Sequence, residues 1–296
     1  MKQVLIVGSK NSGSKNDPII VARALESDAI STRCVFWEDI VFDIKTGAVR
    51  VLVDGEDILE RPYDVCIAFG WYKGGKNSYY RDIALSLAEV LAYHSIPFWN
   101  SEMALQRSTT KLSAMVQLAL RGVPVPITRF SIDPRQSASG MQFPFIAKAI
   151  SASRGDSNFL VDSQATWQTA LEEGVPLLIQ NFLENDHDLR VICFNGSPHL
   201  ILKRSRGAGA HSHMNNTSQG GHAEWLGLEE VPPELLTISE KIVTIMGREL
   251  AGIDFIPDAS SPFGYSCLEV NAIPQLTSGT EVDIKMAALG CAIKEL

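Results

Sequence analysis

Apolar runs of different period alternate along the first hundred residues. Val4-Leu5-Ile6-Val7 is a continuous apolar run that stops at Gly8, the pattern of a short buried strand. Asp17-Pro18 follows as a helix start, with Asp at the N-cap and Pro in the first turn. Cys34–Trp37 reads as a second strand, and Val41–Ile44 and Val49–Val53, joined through Thr46-Gly47, read as a hairpin. Asp64–Phe69 is another buried strand. Ser78–Tyr93 has helical spacing, with Ile83, Leu87, Val90 and Leu91 on one side, and Ile96–Trp99 closes the pattern. Strand–helix alternation of this kind predicts a mostly parallel sheet with helices on both faces.

The texture changes past Asn100–Thr110. Leu112, Met115, Val116 and Ala119 recur at helical spacing after the cap candidates Ser108 and Thr109, and Gly122 and Pro124 end that helix. Phe143–Ala149, Asn158–Val161 and Leu177–Gln180 read as strands around one helix, Ser163–Glu172. Asp188–Phe194 and His199–Lys203 form a hairpin through Asn195-Gly196, a strong turn signal. Arg204–His222 reads as one long polar loop. A helix from Pro233 to Gly247, strands at Gly252–Ile256 and Tyr265–Val270, and a C-terminal helix complete the chain.

The 296 residues carry 26 Lys+Arg against 34 Asp+Glu, a net charge of −8, with 45% hydrophobic residues. This is a globular balance, and at about 100–200 residues per domain the length fits two domains or three small ones. The acidic balance argues against non-specific nucleic-acid binding. No run is long enough for a signal-peptide core or a membrane span. The five cysteines, Cys34, Cys66, Cys193, Cys267 and Cys291, are scattered and never spaced C-x-x-C, so neither a disulfide framework nor a zinc site is legible, and a cytoplasmic location is expected.

Three motifs are near misses. Gly8–Lys15 has the glycines of a phosphate loop, but Ser14 and Lys15 stand in reversed order. His211-Ser212-His213 lacks a third ligand, and Arg154-Gly155-Asp156 is an adhesion tripeptide by spelling only. The informative residues lie elsewhere. Asp254 falls on one predicted strand, and Glu269 and Asn271 on the next, two apart and so on one face. Antiparallel pairing would gather hard oxygen ligands suited to Mg²⁺; on spacing alone, solvent-facing edge charges are the equal alternative. Lys148 ends an apolar strand, where an amine needs an anion or solvent. The small-residue stretch Ser151–Ser157 could fold its amides over phosphates. Lys111 sits in a first helical turn against the dipole. Arg190, Lys203, Arg204 and Arg206 cluster on or just after the hairpin.

Taken in order, Thr110-Lys111-Leu112 with its Arg121–Thr128 exit, Ile146-Ala147-Lys148, Ile179–Leu183, Asp188-Leu189-Arg190, Asn216 with Gly220-Gly221, Ala251–Asp254 and Leu268–Pro274 resemble the ATP-grasp carboxylate–amine ligases of the RimK-like branch, which includes the ribosomal-protein glutamate ligase. The resemblance implies an α/β (α+β) ATP-grasp fold: a parallel-sheet pre-ATP-grasp domain at 1–108, a small lid lobe with its leading helix at 109–181, and a large lobe with the metal site at 182–296. It implies ATP with Mg²⁺, or Mn²⁺, as cofactors. Lys111, Lys148, Ser153, Arg154, Gly155, Asp188, Arg190 and Lys203 would serve the nucleotide, with Gln180, Asn181, Phe182 and Leu183 as the adenine hinge. Asp254, Glu269 and Asn271 would hold metal, and Arg204, Arg206 and Asn216 would act in catalysis. Three positions depart from the family pattern: Asn181 for a Glu, a glycine-poor phosphate loop, and Gln275 for a Gly.

The reaction so implied joins a carboxylate to an amine through an acyl phosphate, giving ADP and phosphate, with a lobe at about Thr128–Gln180 closing to exclude water. The substrate would be an amino acid, peptide or protein, with no nucleic-acid or membrane partner; self-association is left open. The rivals are a kinase-like protein that stops at phosphoryl transfer, a non-catalytic nucleotide-binding module, and a plain α/β scaffold. Phe69–Lys76, at a strand end of the first domain, is a candidate substrate contact.

Overall fold

The computed structural model describes residues 1–10, 17–69, 77–100, 110–150, 158–206, 222–272, 274–279 and 281–296. The first unit is a parallel sheet of β1 (Lys2–Gly8), β2 (Ile30–Phe36), β6 (Val65–Phe69) and β7 (Phe98–Trp99), in the order β2-β1-β6-β7. β1 is apolar from Val4 to Val7 because both its faces are covered there. Leu5 and Val7 face α2 (Asn77–Tyr93) and the small sheet of β3 (Val41–Lys45), β4 (Ala48–Val53) and β5 (Glu56–Asp57). Val4 and Ile6 face α1 (Pro18–Leu25) and the C-terminal helix α7 (Val282–Lys294). Asp17 caps α1 as expected, its Oδ1 accepting the Ile19 N–H at 2.9 Å. Gly8 is required where β1 meets this helix: an added Cβ would lie 2.6 Å from Pro18 Cγ and 2.7 Å from the Phe69 carbonyl.

The middle unit is an antiparallel sheet of β8 (Thr128–Phe130), β9 (Phe145–Ala149), β10 (Asn158–Val161) and β11 (Leu177–Asn181), ordered β10-β9-β11-β8. Phe145, Ala147, Leu177 and Ile179 turn one face onto a core with Trp167 and Ala170 of α5 (Gln164–Leu171); α4 (Pro134–Ala138) packs on the same sheet. β8 and α4 were not foreseen from the sequence, being too short for either period to register.

The third unit is a five-stranded sheet, β14-β13-β12-β15-β16: β12 (His187–Phe194), β13 (Ser197–Ser205), β14 (His222–Leu226), β15 (Ala251–Pro257) and β16 (Tyr265–Asn271). The Asn195-Gly196 turn has both residues at positive φ, 49° and 79°, the twist a tight hairpin demands. α6 (Pro233–Met246) and α3 (Lys111–Leu120) cover one face. The N-cap of α3 is Thr110, whose Oγ1 accepts the Ser113 N–H at 3.3 Å, and not Ser108 or Thr109, which lie outside the described residues.

The first and third units share a core. Ile192, Phe194, Leu250 and Leu276 join Val4, Ile6 and α7 in one apolar cluster, so the sheet at the N-terminus is covered by a helix from the C-terminus. Asn100 fastens the seam. Its amide donates to the carbonyls of Leu250, at 2.9 Å, and Ala272; its Oδ1 accepts from the Leu250 N–H at 2.8 Å; and its own N–H meets Glu249 Oε2 at 2.6 Å. Among the described residues no helix is long and apolar enough to cross a membrane, and all five cysteines are free.

Candidate active site

Alternation along β12 divides its side chains. Leu189, Val191 and Cys193 enter the core under α3 and α6, while Asp188 and Arg190 take the other face. Register then aligns their partners. Asp188 lies opposite Arg204, Arg190 opposite Asp254, Asp254 opposite Glu269, and Gly252 opposite Asn271. A polar row therefore crosses β13, β12, β15 and β16. Arg190 grips Asp254 with two bonds, Nε to Oδ1 and Nη2 to Oδ2, both 2.7 Å. Arg204 Nη2 reaches the same Oδ1 at 3.2 Å while its Nε meets Asp188 Oδ1 at 2.5 Å. Asp188, Arg204 and Asp254 are each only 7% exposed, so every charge needs its neighbour.

The two carboxylates respond differently. Burial pushes Asp254 up, but Arg190 and then Arg204 overcome it and hold the group below its ordinary value. Burial dominates at Asp188, which is raised despite Arg204, with the negative Asp254 adding to the effect. Arg190 is disfavoured by burial and more than restored by Asp254, so it stays firmly protonated.

Strand pairing sets Asp254 opposite Glu269, with Asn271 two pairs further along, and two features refine the picture. Asp254 is already committed to two guanidinium groups. Phe255 pairs with Cys267 through a register shift, so Leu268 is the extra residue there, and Cys267, not Leu268, packs in the core with Phe255. Asn271 Nδ2 donates to the Gly252 carbonyl at 3.4 Å. Among the described residues no group of three or more His, Cys, Asp or Glu side chains could hold a metal. The set here is two carboxylates and an amide, which suits a Mg²⁺ that completes its shell with phosphate oxygens and water.

Cations face this row from the middle unit. Lys148 on β9 donates to Gln180 Oε1 at 2.8 Å, and Gln180 Nε2 donates to Thr128 Oγ1 at 3.0 Å. Burial pulls the Lys148 amine down to about 8; Glu269 and Asp254 oppose that shift, and Lys111 adds to it. Lys111 Nζ reaches the Ala149 carbonyl at 3.4 Å, tying α3 to β9. Asn181 follows Gln180 with the parity of Leu177 and Ile179, so its side chain leaves the cleft face; its N–H bonds the Ile127 carbonyl at 3.1 Å and its Oδ1 is buried with no partner. Phe182 and Leu183 are half-buried beyond the strand end.

Other expected residues are placed differently. Arg204 was read into the long loop, but β13 runs to Ser205 because β14 pairs with it from Ile201 onward. Lys203 alternates to the opposite face and pairs with Glu224 Oε1 at 2.9 Å, away from the polar row. Arg206 donates to Asn185 Oδ1 at 3.3 Å. Ser153, Arg154, Gly155, Asn216, both histidines of the His-x-His motif and the Gly70–Lys76 part of the aromatic loop lie outside the described residues. In the near-miss phosphate loop, Lys10 is taken by Asp39 at 2.5 Å, and Ser9 is held by Glu38 at 2.6 Å. Sequence reasoning missed Asn100 and Lys285. The signal for Lys285 was a lysine on the apolar stripe of the last helix.

Comparison with known proteins identifies the family and the fold. Residues 108–290 match the RimK-like ATP-grasp domain. The chain is 25% identical over 211 residues to a probable alpha-L-glutamate ligase of Legionella pneumophila (strain Corby), covering 69% of this chain and 67% of that protein. Its fold is similar to the ATP-grasp ligase PsnB complexed with a minimal precursor (TM-score 0.73, 15% identity, 98% and 97% of the two chains). It is also similar to a Chryseobacterium gregarium RiPP-associated ATP-grasp ligase in complex with ADP and a leader and core peptide (TM-score 0.70, 12% identity, 98% and 97%). With well over half its length matched, the chain belongs to the RimK-like ATP-grasp family.

Proposed function

We propose that this protein is an ATP-dependent carboxylate–amine ligase that passes through an acyl phosphate. The observation that carries the reading is the meeting of two charge systems. Lys148 stands on the middle sheet, joined by Lys111, which reaches over to β9 from the start of α3, and the row of Arg204, Asp188, Arg190, Asp254, Glu269 and Asn271 belongs to the five-stranded sheet. Phosphoryl transfer needs positioning and charge neutralisation more than a protein nucleophile.

In this reading the lysines hold ATP phosphates and the Gln180–Leu183 segment reads adenine through its backbone. That task does not require the Asn181 side chain, which accounts for the tolerated departure there. Glu269, Asn271 and one edge of Asp254 would hold Mg²⁺, or Mn²⁺, which supplies charge neutralisation at the transferring group when bound. Arg190 and Arg204, fixed by Asp254 and Asp188, are ready donors for phosphoryl and carboxylate oxygens. Arg206 and Asn216, with Ser153–Gly155, would complete the enclosure. The carboxylate attacks the γ-phosphorus and ADP leaves; an amine then attacks the acyl carbon, the C–O bond to phosphate breaks, and an amide forms.

Residues 109–181, 182–296 and 1–108 serve as lid, metal lobe and substrate-side domain. Relatives named as glutamate ligases and neighbours bound to peptides support an amino acid or peptide substrate, and the free thiols support a reducing, cytoplasmic setting. A screen for ADP release against amino acids and peptides tests the reading. Release that needs both a carboxylate and an amine is expected. Release with a carboxylate alone and no amide product would favour a kinase-like enzyme, and no rise in melting temperature with Mg·ATP would sink the assignment.

A further inference from the structure

Lys285 stands in the first turns of α7, on the stripe that carries Leu289 and Ala292, and is 4% exposed. Its Nζ donates to the carbonyls of Gln275 at 2.6 Å and Ser278 at 2.7 Å. Neither partner is an anion, and among the described residues no carboxylate pairs with it. Three things oppose a positive charge there: burial, the Arg190 guanidinium, and the positive end of the α7 dipole. The first two hold the amine at about 8.

The segment it grips is fixed from other sides too. Thr277 Oγ1 accepts the Asp17 N–H at 3.1 Å, joining the segment to the first unit. Pro274 lies so close to Gly252 that an added Cβ would be 3.3 Å from its Cβ and 3.8 Å from Arg190 Cδ. Within this frame Ser278 Oγ is buried with no partner. An ammonium carries three donors and the two carbonyls use two. A donor, a hydroxyl and uncompensated positive charge thus collect where the chain leaves β16, beside Arg190.

We propose that Lys285 and Ser278, next to Arg190, form a subsite that takes a carboxylate group of the substrate at the seam between the first and third units. This rests on the ligase reading above. The ligand is a carboxylate and not an ATP phosphate, because the phosphate lysines lie on α3 and β9 while Lys285 lies on the side of the first unit. Two carboxylate oxygens match one ammonium and one hydroxyl donor.

The test measures ADP release by the full chain with Mg·ATP, L-glutamyl-L-glutamate as carboxylate probe and L-glutamate as amine. Lys285→Met is expected to raise the KM for the dipeptide about tenfold or more and leave the KM for ATP within about twofold; Lys285→Arg should recover most of the loss, and Ser278→Ala should raise the dipeptide KM about threefold. A dipeptide KM unchanged in both Lys285→Met and Ser278→Ala would overturn the subsite, as would a parallel rise in both KM values with a lowered melting temperature, the mark of a merely structural pin. If the wild type does not turn these probes over, melting temperature in Mg·ADP decides. A dipeptide-induced rise that Lys285→Met abolishes supports the subsite. No rise in the wild type overturns it, while a rise with Mg·ATP alone would leave the ligase reading standing.

Discussion

The lid sheet and the five-stranded sheet both bury one face under helices and turn the other toward the cleft, yet they carry charge in opposite ways. On the large sheet the signs alternate along the row, Arg204, Asp188, Arg190, Asp254, and each of these charges is met within the sheet. In the middle sheet, Lys148 donates to the neutral amide of Gln180, and its opposing charges, Glu269 and Asp254, belong to the five-stranded sheet. Charges satisfied locally stabilise one arrangement of their own strands. A cation whose counter-charges lie across a gap makes the gap's contents decide how the lobes sit. In the proposed reading the large sheet is the fixed platform and the sheet of β8–β11 is the part that answers to ligand.

Breaking the platform should have the largest effect. Asp254→Ala strands the Arg190 guanidinium and takes one of its two carboxylates from Arg204, and is expected to cost about 3–5 kcal/mol in urea unfolding, with turnover lost; a change under about 1 kcal/mol would show that the row is not holding the sheet. Glu269→Ala separates chemistry from structure. Glu269 has no ion pair among the described residues, so the variant should lose about a hundredfold or more in Mg-dependent ADP release with stability within about 1 kcal/mol. Retained activity would refute its place at the metal.

The lid's lysine is tested by pH. With its folded value near 8 against an ordinary 10.5, Lys148 binds fewer protons folded than unfolded between those limits. The ligand-free protein should therefore gain stability as pH rises through that window, while affinity for Mg·ATP falls because the neutral amine no longer attracts phosphate. Lys148→Met should weaken ATP binding about tenfold at neutral pH and flatten the part of both slopes due to this residue, read by calorimetry from pH 7 to 10; an unchanged profile would remove Lys148 from the nucleotide site. The smallest effect is a lid-only change. Ser163 and Thr166 close a reciprocal cap on α5, and Ser163→Ala should cost about 1 kcal/mol, visible as faster hydrogen exchange in that helix with ATP affinity unchanged.

Several elements were legible because local physics wrote them. The Asp17-Pro18 start, the Ser163–Glu172 helix and the Asn195-Gly196 turn each depend on a few adjacent residues. The pairing of Asp254 with Glu269 followed from period-two alternation once the strands were antiparallel. Arg204 was misplaced into a loop because a polar strand on a polar face has no apolar alternation to announce it. Lys203 was grouped with its neighbours because sequence proximity does not say which face of a strand a residue takes. Asn100 escapes for a different reason: its partners lie 149 to 172 residues away and are mostly backbone groups, which leave no trace in side-chain spelling.

The sequence by itself determined the order of most strands and helices and the family, since these depend on period, caps and ordered motifs. Only the tertiary structure decided that Asp254 is held by two arginines, that the last helix completes the first sheet, and that the charges opposing the burial of Lys148 come from β15 and β16. Those outcomes depend on strand register and on which surfaces share a core, and both are set by contacts between residues far apart in the chain.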